Sequence, residues 1–98
     1  MSDLKNLHDA TLEKIEFFWK EGKILIDFRS GLTKNPLIRL IATNVSNFIC
    51  PRQYPWGPSV SVNKITKEQE AQNVKLVVEM QSGDVFEIKC EAFILEAS

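Results

Sequence analysis

His8 is the chain's only histidine, and it stands next to Asp9 just ahead of the first strand-like run in LHDATLEKIEFFW. Such a pair can be a catalytic dyad, a ligand set, or a turn that starts the fold. A working dyad needs a nucleophile within reach of the imidazole, and neighbours on an extended chain point to opposite sides. Cys50, Cys90 and the serines are the available nucleophiles, yet no G-x-S-x-G elbow or recognisable cysteine context surrounds them. No catalytic residue is therefore assigned. One histidine and two dispersed thiols also fail to make a zinc set, whose ligands come in close pairs, so neither metal nor cofactor is expected. The simpler reading has Asp9 bonding backbone amides in a turn before Thr11 while His8 satisfies a neighbouring carbonyl.

The second chemical feature is CPRQYPWGPS, in which Pro51, Pro55, Gly57 and Pro58 exclude a regular element. Tyr54 and Trp56 on a proline-stiffened loop lose little entropy on binding, and Arg52 is near enough to contribute. The binding candidates are thus His8, Asp9, Arg52, Tyr54 and Trp56. The simpler reading of Trp56 has it fold back to plug one end of a β core, and the two readings do not exclude each other. Phe17, Phe18 and Trp19 put aromatics on both faces of a strand, which calls for cover on both sides or for a patch that a partner covers.

The elements that must position these residues are strands. Ile15, Phe17 and Trp19 alternate with Lys14 and Glu16, and after a link containing Gly22 the run KILIDFR alternates again, the pattern of a hairpin. Pro36 closes a loop, so a third strand starts near Leu37 and runs through LIRLIAT, with a bend expected at Asn44 to Asn47. SVSVNKI reads as a fourth strand, and TKEQEAQN as a helical turn or polar loop tip, with Thr66 and Gln69 spaced as a capping box. VKLVVEM, the Gly83 turn and VFEIKCEAFILE complete the set, with Phe86, Ile88, Cys90 and Ala92 facing inward and a broken alternation from Phe93 to Leu95. The expected fold is all-β: an antiparallel sandwich or curled, barrel-like sheet of about six strands, with at most one short helical turn, spanning 1–98 as a single domain.

Composition narrows the function classes. Twelve basic and thirteen acidic side chains nearly cancel, so the field that draws non-specific binders to phosphates is missing and nucleic acid is not expected. No basic and then apolar leader opens the chain, and no apolar run is long enough to span a bilayer. The expectation is a cytoplasmic protein with no membrane partner and two unlinked, buried thiols. Five acids against one base from Glu79 onward allow an acidic docking face on the last strands.

LHDATLEKIEF, WGPSVSVNKI and MQSGDVFEIKCEAFILE together resemble a group of small bacterial β proteins with an N-terminal LHDA motif. Some of these resemble immunity protein 50 of polymorphic-toxin systems. The resemblance covers most of the chain, and His8, Asp9 and Trp56 match its recurrent positions. It implies a binder that blocks a toxin by protein–protein contact and is not an enzyme. The residues leave monomer or homodimer open, the homodimer being one in which Phe18 and an edge strand pair across a two-fold. The alternative from the residues alone is an enzyme or small-ligand binder with a site between the His8–Asp9 turn and the Trp56 loop.

Overall fold

The computed structural model describes residues 7–29, 37–50 and 61–97. Within them the chain forms eight strands and no α-helix: β1 (Thr11–Phe18), β2 (Lys23–Arg29), β3 (Leu37–Thr43), β4 (Asn47–Ile49), β5 (Val62–Glu70), β6 (Asn73–Met80), β7 (Val85–Cys90) and β8 (Ala92–Ala97). They build two antiparallel four-stranded sheets, ordered β1-β2-β3-β8 and β4-β7-β6-β5. The all-β sandwich is the expected class. The proline loop with Arg52, Tyr54 and Trp56, and the loop before Leu37, lie outside the described residues.

Strict alternation places every second residue in the core. Ile24, Ile26 and Phe28 on β2, Ile38, Leu40 and Ala42 on β3, Leu76 and Val78 on β6, and Phe86, Ile88 and Cys90 on β7 are all buried, and they meet in one cluster between the sheets. β1 begins beside Ser61, where Thr11 bridges to it, and ends beside β4, where Phe17 meets Phe48. It therefore runs across the strand direction of the second sheet, so the two sheets pack at a steep angle.

Two of the expected strands each split in two, which accounts for eight strands in place of about six. β3 and β8 pair in the first sheet (Thr43↔Ala92) and continue as β4 and β7 in the second (Asn47↔Lys89), so one two-stranded ribbon turns the corner between the sheets. Asn44, with φ of 52°, makes the turn on one strand. Glu91 N–H donates to Thr43 O (3.1 Å), Ser46 N–H to Lys89 O (2.8 Å) and Asn44 Nδ2 to Glu91 Oε1 (3.1 Å) across the bend. The corner shifts the side-chain phase by one: Cys90 points into the core and Ala92, expected inside, is exposed, while Phe93 turns in again.

Two further expectations are corrected. TKEQE is not a helical turn but the second half of β5, because Thr66 to Glu70 find a ladder partner in Asn73 to Val77 and a tight turn follows at Ala71, whose φ is 46°. A ladder bond for each residue outweighs a two-turn helix with no apolar stripe. The cysteines are not disulfide-linked, and only Cys90 is buried, whereas Cys50 is exposed just past β4.

On the outer face of the first sheet, Lys14, Asp27, Arg39 and Glu96 stand opposite one another in register, alternating in sign. Arg39 donates to both Asp27 oxygens, from Nε at 2.8 Å and from Nη2 at 3.3 Å. That hydrogen bond and the guanidinium charge hold the Asp27 carboxyl below its ordinary value. A depressed native pKa contributes stability that is fully present above the unfolded value near pH 4 and is lost as pH falls through the native value. Asp27→Asn is expected to remove that contribution and to flatten the acid limb of the stability curve. Urea unfolding at neutral pH and near pH 3 checks this, and an identical acid loss in both proteins refutes it.

Candidate functional site

The turn before β1 is built onto the start of β5. Val62↔Met80 is followed by Lys64↔Glu79, so Asn63 is the extra residue of a β-bulge and its carbonyl falls out of the ladder. His8 Nδ1 donates to that carbonyl, which can only accept, so the proton sits on Nδ1. Asn63 Nδ2 donates in turn to Glu79 Oε2. Asp9 takes a left-handed backbone with φ of 65°, and its Oδ1 accepts from Gln81 Nε2. Its side chain thus serves Gln81 and not the turn's own amides, a correction to the sequence reading. Asp9 N–H donates to Val62 O and Val62 N–H to Ala10 O, each at 2.8 Å, and the buried Leu7 and Ala10 anchor the turn from below.

This arrangement joins the edges of the two sheets. His8 Nε2 lies 3.5 Å from Asp9 Oδ2, with both side chains more than half exposed. Among the described residues, no group of three or more His, Cys, Asp or Glu is placed to hold a metal ion. His8→Ala is expected to lower stability by about 1 kcal/mol, since the bulge carbonyl exchanges a protein donor for water. Chemical denaturation measures this loss, and an unchanged midpoint removes the structural role.

A different set of residues comes together at the far end of β1, some seven strand residues or about 23 Å away. Trp19 and Gly22 bracket the β1–β2 turn, closed by Gly22 N–H donating to Trp19 O at 3.2 Å. Gly22 has φ of 62°, which favours glycine, and its carbonyl accepts from Val45 N–H at 2.8 Å, so the turn is tied to the sheet corner. Phe17 lies 5.9 Å from Trp19 and 5.9 Å, edge to face, from Phe48, which meets the buried Phe86 edge to face at 6.4 Å. Trp19 is 86% exposed, and Phe17, Phe18 and Ile49 are also exposed. Lys23 Nζ sits 6.0 Å from the Phe18 ring on the outer face. The result is an aromatic surface held from beneath by a buried ring.

No other described feature competes with it. An open depression of about 700 Å³ on the outer side of the first sheet is lined by Glu13, Asp27, Arg29, Arg39 and Glu96, among others. Its arginines are engaged: Arg29 with Glu13 at 3.0 Å and Arg39 with Asp27. The acids of the last strands are divided and engaged: Glu79 and Glu87 share the outer face of the second sheet, where Glu79 bonds Asn63 and Glu87 pairs with Lys75, while Glu91 bonds Asn44 at the corner and Glu96 stands opposite Arg39 on the first sheet. Of the expected binding residues, His8 and Asp9 are brought together at the sheet junction. Sequence reasoning placed Trp19 within β1, on one face with Ile15 and Phe17, and read the aromatic run as core or as a patch that a partner covers. It missed that a four-residue turn ending at Gly22 makes Trp19 a turn residue, and it gave no role to Phe48 and Ile49.

The fold has a counterpart. A crystal structure of an uncharacterized protein from Neisseria gonorrhoeae superposes with a TM-score of 0.68 over 93% of each chain, at 14% sequence identity. The likeness is one of fold. No protein-family profile matches the sequence, and no curated protein matches it. No helix among the described residues is long and apolar enough to cross a membrane.

Proposed function

We propose that the protein is a small cytoplasmic binding module that acts by protein–protein contact, as an immunity protein does when it blocks a toxin, and not as an enzyme. The observation that carries this reading is Trp19, almost fully exposed on a turn closed by a Gly22–Trp19 hydrogen bond and tied to Val45, with Phe17 against it and Phe48 and Phe86 behind Phe17. Large aromatics are seldom left in water on a rigid support unless something covers them. Trp in particular concentrates binding energy at the centre of interfaces, because a rigid ring buries much area and loses few rotamers. The role the structure gives His8 is the bond from its Nδ1 to the Asn63 carbonyl, which serves the bulge.

The experiment is a tagged pull-down from the native host's lysate, run in parallel with Trp19→Ala and identified by mass spectrometry. One stoichiometric partner that is lost with Trp19→Ala, and whose toxicity on expression is relieved by co-expressing this protein, supports the reading. A partner retained equally by both proteins moves the interface away from the aromatic end. A captured partner with no toxicity retires the immunity account and leaves the binding module.

A further inference from the structure

The outer face of the first sheet carries one apolar stripe. Leu25 stands opposite Ile41 and Ile41 opposite Ile94, so the stripe crosses β2, β3 and β8 at right angles and reaches the sheet's edge. Ile94, at that edge, is 50% exposed. β8 is the last strand of its sheet, with no ladder partner on its outer side among the described residues. Its sequence, AFILEA, contains no proline, no lysine and no inward-pointing charge, the devices that keep an edge strand from pairing.

We propose that β8 pairs antiparallel with β8 of a second copy of this chain, about a two-fold axis at Ile94. This goes beyond the binding reading and does not depend on it. The register follows from the residues. With Ile94 opposite its own copy, the stripe runs unbroken from Leu25 of one chain to Leu25 of the other. On the inner side Phe93 stands opposite Leu95 of the second copy, twice by symmetry, and both are half-buried residues at the rim of the core. Glu96 then faces Ala92 of the second copy and not another Glu96, and its charge is already opposed by Arg39 of its own chain. Shifting the axis to Leu95 sets Ile94 against Glu96, and shifting it to Phe93 sets Glu91 against Leu95, so either slip places an acid opposite a large apolar side chain, whereas here Glu96 meets only the small Ala92. The dimer is one continuous eight-stranded sheet. β1 is the opposite edge strand, so both aromatic ends stay exposed and the assembly is bivalent.

Sedimentation velocity on the full chain over a wide concentration range tests the proposal. Wild type is expected to reach twice the 11.2 kDa chain mass as concentration rises. Ile94→Lys, which sets two like charges together on the axis, is expected to stay monomeric with an unchanged far-UV spectrum. Should that variant fail to fold, Ile94→Cys in a Cys50→Ser background supplies the second measurement. Directly opposed antiparallel residues have Cα atoms within disulfide reach, so mild oxidation is expected to cross-link Cys at 94, and not Cys placed at Ile41 one strand inward. A wild-type monomer throughout, a dimer that survives Ile94→Lys, or cross-linking no greater at 94 than at 41 overturns the proposal.

Discussion

Phe28→Ala is expected to cost about 3–5 kcal/mol, a large fraction of the total stability of a domain this size. Phe28 is fully buried on β2, with Leu12 opposite it on β1 and Ile38 on β3. Removing the ring forfeits its transfer free energy and leaves a cavity that a close-packed sandwich refills only in part. The control lies on the same strand: Leu25, three residues away on the opposite face and only half-buried, is expected to lose about 1 kcal/mol or less on truncation. Urea denaturation of both variants decides the matter. Equal losses would mean that the alternation of β2 does not separate core from surface.

Trp19→Ala is expected to raise the dissociation constant for the captured partner by roughly thirtyfold or more, about 2 kcal/mol or above, while thermal stability changes little. The dissociation of effects follows from position. Trp19 is 86% exposed in the free protein, so folding gains little from it, whereas an interface would bury it fully. Phe48→Ala provides the contrast, because Phe48 packs on the core and touches Phe17 and Phe86, so it should lose both stability and binding. Calorimetric titration together with thermal melts checks both variants. If Trp19→Ala lowers stability as much as Phe48→Ala, the tryptophan is a structural residue and the aromatic end loses its case as an interface.

Much of the fold was legible along the chain because a strand announces its faces by period-two alternation. β2 and β6 read directly, as did the presence of a link at Gly22 and the turn at Gly83, where a positive φ is wanted. Thr66 to Glu70 misled because capping-box spacing is a local signal, and a polar segment on an outer hairpin shows no alternation to contradict it. The candidate site was legible in part. The aromatic run Phe17 to Trp19 marked a surface or a core, but exposure depends on which strand lies across from it.

By itself, the order of residues determined that this is an all-β domain with its hydrophobic faces on alternate positions, that its charges nearly cancel, and that His8 and Asp9 start β1 as a turn. Tertiary structure alone decided how the faces meet. The ribbon that bends at Asn44 and Glu91 shares its strands between two sheets, and the bulge at Asn63 supplies the carbonyl that His8 caps. The β1–β2 turn, tied to Val45, holds Trp19 in water beside Phe17. Each of these rests on contacts between residues far apart in the chain. Alternation reports which way a side chain points from its own strand, but what it points at is set by another segment, packed there by the burial of the shared core.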